Sequence, residues 1–156
     1  MIEYKLNIGD LRVSQHEAVT FTCLGLGSCI GLFLQDRSLG IAGGAHILLP
    51  EDIHFGGDGK CYSASSAVSA LIQQFKARGS SCTGLRAKIA GGASVALAGA
   101  ETGKRNTEQV LQELLRNNVY IAAMDVGGNK ARSVRFHSET GTLQVRLPET
   151  NECKIY

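Results

Sequence analysis

Apolar residues between positions 63 and 78 fall at Ala64, Ala67, Val68, Leu71, Ile72 and Phe75, the spacing that gathers one stripe on a helix. Ser63 is placed to cap the start of that helix and Gly79 to end it in a left-handed turn. A second helix is predicted over residues 107–117, with Asn106 as cap, Gln109 completing a capping box, and Val110, Leu111, Leu114 and Leu115 as its inner face. The remaining apolar stretches, 19–24, 29–35, 40–49, 85–90, 119–126, 133–138 and 143–147, are short. They are rich in β-branched residues and bounded by Gly, Asp or Asn, as strands are. Residues 139–142, Glu-Thr-Gly-Thr, suit a hairpin loop. Two helices among a majority of strands predict an α+β fold, a layered sandwich of mixed β-sheets with helices packed on the outside. The length suits one domain, residues 1–156.

Charge narrows the function classes. The formal net charge is +2 and the charged fraction 19%, with no basic run interleaved with aromatics, so no nucleic-acid partner is expected. A mild basic bias appears late, at Arg86, Lys88, Lys104, Arg105, Lys130, Arg132, Arg135 and Arg146. It reads either as a solvated face or as a surface for an acidic protein, the former being the commoner case. The longest apolar stretches, such as 41–50, are too short to cross a bilayer. The N-terminus has no charged-then-apolar signal pattern, so a cytoplasmic setting is expected. Five cysteines stand at 23, 29, 61, 82 and 153, odd in number and without a C-x-x-C pair, which speaks against a disulfide framework. The histidines at 16, 46, 54 and 137 do not pair with one another or with cysteine at zinc-site spacing.

One segment is suited to chemistry. Leu24-Gly25-Leu26-Gly27-Ser28-Cys29 lies between two predicted strands. Glycines let its backbone turn sharply, and successive amides in such a turn can hold an anion. Gly25, Gly27 and Ser28 are therefore candidate oxyanion-turn positions, and Cys29 a candidate nucleophile. A cysteine needs a base or a positive field to become a thiolate at neutral pH. His46, in an apolar strand returning from that of Cys29, is the candidate base. The bland alternatives are a buried cysteine acting as a small hydrophobe and a satisfied core histidine. Cys61, Cys82 and Cys153 have no glycine turn beside them and read as structural, and His16, His54 and His137 as surface residues. Gly25/Gly27/Gly31 misses the dinucleotide fingerprint by one position, and residues 99–105 miss the P-loop.

Five segments together resemble the chemoreceptor glutamine deamidases, the CheD family. They are Leu24 to Cys29; Gly43-Gly-Ala-His46 continuing to Pro50; Ala87-Lys-Ile-Ala-Gly-Gly-Ala-Ser94; Gly103-Lys-Arg-Asn106; and Gly127-Gly-Asn-Lys-Ala-Arg-Ser-Val134. The resemblance spans roughly residues 19–147. It implies a cytoplasmic enzyme of chemotaxis that converts glutamines on the chemoreceptor helices to glutamate, some members also hydrolysing glutamyl methyl esters. It implies Cys29 as nucleophile, His46 as base, no metal or organic cofactor, and the phosphatase CheC as a further partner. The implied fold is similar to that of cytotoxic necrotising toxin catalytic domains.

Two positions depart from the family pattern. The third catalytic position, commonly threonine, is Cys23 here, and Thr22 beside it should face the other way on a strand. A thiol is a weak hydrogen-bond partner, so His46 must lean on a backbone carbonyl or the rate must suffer. Val95-Ala96-Leu97 stand where many members carry an aromatic residue. The rival reading is a binding regulator that kept the fold and lost catalysis.

Overall fold

Alternating side chains sort the strands into two sheets with a dry layer between them. The computed structural model describes residues 2–51, 58–94 and 100–156. One sheet runs in the order β1 (Ile2–Lys5), β3 (Val19–Leu26), β8 (Arg132–His137), β9 (Leu143–Leu147) and β10 (Glu152–Ile155). The other runs β2 (Leu11–Gln15), β5 (Ile41–Ile47), β4 (Ile30–Asp36), β6 (Arg86–Gly91) and β7 (Tyr120–Val126). Both are mixed: β1 pairs parallel to β3 and β6 to β7, the other pairs being antiparallel.

β4 is buried along its whole length because it has cover on both faces. Ile30, Leu32 and Leu34 belong to one core with Val68, Leu71 and Phe75 of helix α1 (Ala64–Lys76) and Val110 and Leu114 of helix α2 (Ala100–Arg116). Phe33 points the opposite way into the inter-sheet core with Phe21, Phe136 and Val145, its ring stacked 5.2 Å from that of Phe136. The expected α+β sandwich with helices outside is therefore present, both helices lying against the second sheet. No helix among the described residues is long and apolar enough to cross a membrane.

α1 follows its sequence closely. Ser63 and Ser66 form the capping box, and Gly79, at φ 97°, ends the helix. α2 departs from expectation. It begins at Ala100, so Asn106 is a fully buried residue inside the helix and not its cap. Gly103 lies inside the helix, where a Cβ would press on the carbonyl oxygens of Gly92 and Ala93. Gln109 bonds to Glu113 one turn on, and Leu115, expected on the inner face, is 65% exposed. β1, β2 and β10 escape the sequence pattern because they are short edge strands with mostly polar, exposed residues. The hairpin at residues 139–142 is as expected, with Gly141 at φ 69° and its N–H donating to the His137 carbonyl.

Candidate functional site

His46 sits opposite Gly31 in the β4–β5 ladder. Cys29 is two residues before Gly31 and so shares its face, a diagonal neighbour of His46. That face looks between the sheets, where a Cβ on Gly31 would lie 3.4 Å from the Cys23 sulfur. At this end the inter-sheet layer opens into a cleft of about 440 Å³, lined by Cys29 and His46 together with Leu6, Ile8, Leu24, Lys5 and Lys60. The structure thus brings the two candidate side chains to one cleft.

His46 is fixed by the chain segment between β1 and β2. Its Nδ1 lies 2.8 Å from the Leu6 carbonyl oxygen. A carbonyl only accepts, so Nδ1 carries the proton and Nε2 presents a bare lone pair. The main chain is held as well: the Gly9 N–H donates to the His46 carbonyl, and the His46 N–H to that of Asp10. The residue is 6% exposed. Burial, outweighing the Leu6 hydrogen bond and the Asp10 charge, moves its pKa below the ordinary imidazole value. Burial pushes the Cys29 thiol up. Both shifts favour a neutral thiol beside a neutral imidazole.

Cys23 points into the inter-sheet core and is fully buried. Burial first, and the neighbouring Cys29 second, push its pKa far up. The ring nitrogen that a third residue would orient is already bonded to Leu6. Thr22 faces away, as alternation requires, and its hydroxyl donates to Glu3 at 2.9 Å.

The glycine turn is anchored from behind, residue by residue. The Gly27 carbonyl accepts from Ala93 N–H, the Cys29 carbonyl from Gly92 N–H, and the Ser28 carbonyl from Asn106 Nδ2 at 2.8 Å. Gly25, at φ 61°, donates its N–H to the Ser133 hydroxyl. The loop after β6 is itself held by the loop after β7, through Gly127 N–H to Gly91 and Ser94 N–H to Gly128. Arg132, buried against Asp125 at 2.7 Å, also donates to the carbonyls of Gly127 and Lys130. The segments at 87–94, 103–106 and 127–134 are therefore one scaffold behind the Cys29 turn.

Asn106 was missed as a site residue because the predicted helix started after it. The same Nδ2 also donates to the carbonyl of Leu48, just past the end of β5, at 3.0 Å. Asn106→Ala would strand two carbonyl acceptors away from water. We expect about 2–3 kcal/mol of lost stability and a fall in activity larger than that loss explains. Urea melts run beside turnover rates would measure both.

The other candidates lie elsewhere. Cys61 and Cys82 are half-buried against the helix-side core, and Cys153 is exposed on β10. His16 is exposed. His137, read as a surface residue, lies in β8 and is half-buried, with Nδ1 3.1 Å from the Thr20 hydroxyl. His54 and residues 95–97 fall outside the described residues. A hollow of about 470 Å³ at the far end of β4, lined by His16, Asp36, Arg37 and Glu139 among others, contains no thiol.

Comparison with known proteins gives the chain's relatives. Residues 48–147 match the family model described as "CheD chemotactic sensory transduction". The chain is 39% identical over 144 residues to a Thermotoga maritima protein named chemoreceptor glutamine deamidase CheD, covering 90% of this chain and 89% of that one. It is 37% identical over 150 residues to a probable chemoreceptor glutamine deamidase CheD of Geobacillus kaustophilus, covering 91% and 90%. A protein of the same description from Haloarcula marismortui is 32% identical over 154 residues, covering 97% and 88%. Spans this long take in positions 29 and 46. Among solved structures, a Neisseria meningitidis protein assigned to DUF152 aligns at TM-score 0.44 with 12% identity, over 77% of this chain and 52% of that one.

Proposed function

Because this chain belongs to the CheD family, we propose that it hydrolyses the side-chain amides of selected chemoreceptor glutamines, with Cys29 as nucleophile and His46 as base. The observation that carries this reading is the His46 ring. Its Nδ1 proton is committed to Leu6, which leaves Nε2 free to take a proton in the cleft that Cys29 lines.

The reaction runs in two halves. His46 Nε2 takes the thiol proton as the Cys29 sulfur attacks the amide carbon of a bound glutamine. The negative charge that forms on the amide oxygen needs donors already in place. No peptide bond described here is cis, so each N–H points opposite to the carbonyl of its own peptide unit. With the Gly27 and Ser28 carbonyls tied back to Ala93 and Asn106, the N–H groups of Ser28 and Cys29 face the other way. They are the proposed oxyanion donors, and Gly25 and Gly27 give the turn its shape. The intermediate collapses, His46 returns the proton to the nitrogen, and ammonia leaves. Water then attacks the thioester with His46 again as base, releasing glutamate and the thiol.

A glutamyl methyl ester presents the same acyl carbon with methanol as leaving group, so it is a proposed second substrate. A cytoplasmic setting and CheC as a further partner follow from the family resemblance. Cys23 does not favour the inactive-regulator reading, because the Leu6 carbonyl takes the hydrogen bond that a third residue would otherwise supply.

The pH dependence follows from the shifts. Turnover needs neutral His46, and burial lowers its pKa, so neutrality persists to lower pH than for a free imidazole. The acid limb of kcat/KM is expected below the ordinary value of about 6.5. A limb above that value would contradict the assignment.

The decisive experiment incubates the protein with a receptor cytoplasmic fragment and follows glutamine-to-glutamate conversion by mass spectrometry. Conversion at a few sites is expected, with a trace of acyl-enzyme on Cys29 after acid quench. No conversion, or conversion that survives complete alkylation of Cys29, would overturn the reading.

A further inference from the structure

Seven of the eight late basic residues, all but Lys130, separate into three groups once folded. Arg132 is buried against Asp125, Lys88 donates to the Gly141 carbonyl at 2.7 Å, and Arg86 lies over the Tyr120 ring. Lys104 and Arg105 are exposed and lie near Glu108 and Glu51. Arg135 and Arg146 are different: they share the outer face of the first sheet. Arg135 pairs across the ladder with Thr22 and Gln144, and Arg146 with Ser133 and Cys153, while Lys5 pairs with Thr22 from the other side.

This face presents three cations, Lys5, Arg135 and Arg146, against one carboxylate, Glu3. Glu3 is shared between Thr22 at 2.9 Å and Arg135 at 3.4 Å. Both helices lie on the other sheet. Exposed apolar side chains stand on the same face, Leu24 at 59% and Ile155 at 67%. The face also runs into the active-site cleft, because Thr22 and Leu24 line both that cleft and the adjoining groove bounded by Glu3, Arg135, Arg146 and Cys153.

We propose that this outer sheet face docks the acidic side of a helical protein substrate, placing a glutamine of the same helix at Cys29. The proposal rests on the deamidase reading and adds to it a charge requirement on the substrate. Neighbouring strands lie about 4.8 Å apart, so Arg146, two strands from β3, is about 10 Å from the rim at Leu24. At about 1.5 Å per helical residue, that places carboxylates roughly one to two turns from the target glutamine, on the same helix face. The excess of positive charge selects such a helix over a neutral or basic one.

The test uses the full chain with Arg135→Glu and Arg146→Glu together, and a milder pair, Arg135→Gln with Arg146→Gln. Affinity for a receptor cytoplasmic fragment is measured in a Cys29→Ala background, so that binding is read without chemistry and Cys153 in the groove stays unmodified. Turnover is measured on that fragment and on a short neutral glutamine peptide. Charge reversal is expected to weaken fragment binding by about 10-fold or more and to flatten its salt dependence. KM for the fragment should rise at unchanged kcat, turnover of the short peptide should be unaltered, and the glutamine pair should fall between. Unchanged fragment affinity, or an equal loss on both substrates, overturns the docking face. So does a reversal that abolishes only self-association or binding to anionic vesicles. A wild-type protein that binds the fragment in this charge-dependent way but converts no glutamine sinks the deamidase reading instead.

Discussion

Cys29→Ala is expected to abolish glutamine conversion, and His46→Ala to slow it by about 10²–10⁴-fold. The alanine at 29 leaves no atom to form the thioester, so no residual covalent route exists. The histidine variant keeps its sulfur but loses the proton acceptor. Burial already pushes the Cys29 thiol above its ordinary value, so little thiolate forms unaided near neutral pH. The residual rate of His46→Ala should therefore climb with pH, as the thiol ionises without help. Wild type should lack that climb through the neutral range. Single-turnover mass spectrometry across pH distinguishes the two. A His46→Ala protein within tenfold of wild type at neutral pH would remove His46 from the mechanism.

Gly91→Ala should be nearly as damaging although residue 91 touches no substrate. Gly91 has φ 113°, and a Cβ there would overlap the Cys29 carbonyl oxygen. That obstacle is backbone and cannot swing aside. Left-handed strain and overpacking cost about 1–3 kcal/mol each, so a loss of roughly 2–6 kcal/mol is expected. Whatever relaxes must move the nucleophile turn, and a misplacement of about 1 Å costs on the order of 10²-fold in rate. Gly25→Ala is the control. It also replaces a left-handed glycine, at φ 61°, but its Cβ meets nothing within 4 Å. Thermal melts and turnover should separate the pair, with Gly91→Ala worse on both. Equal effects would mean that contact with Cys29 is unimportant.

What the sequence made legible was the part governed by local pattern. The α1 stripe and the strands of both sheet centres repeat with periods that burial on one or two faces imposes. Three of the four edge strands were invisible because β1, β2 and β10 gain their order from a neighbour's backbone, which leaves little mark on side-chain choice. α2 was misjudged at its start because Gly103 serves the packing of residues 92–93 rather than helix propensity. At the site, the glycine turn named Cys29, and a lone histidine in an apolar strand named His46. Asn106 was visible as a motif letter but not as a bridge, since Ser28 and Leu48 meet it only in three dimensions.

The group that sets the tautomer of His46 is a peptide oxygen, and that has a consequence for how this site can vary. Any amino acid able to occupy position 6 supplies the same atom, so substitution scanning will pass over that stretch's hold on the ring. Chain path, not residue identity, is what must be preserved there. Shortening or rerouting the first strand would disable the imidazole while leaving both reactive side chains in place. With Leu6 holding Nδ1, position 23 is left to packing, and its thiol lies in the inter-sheet core.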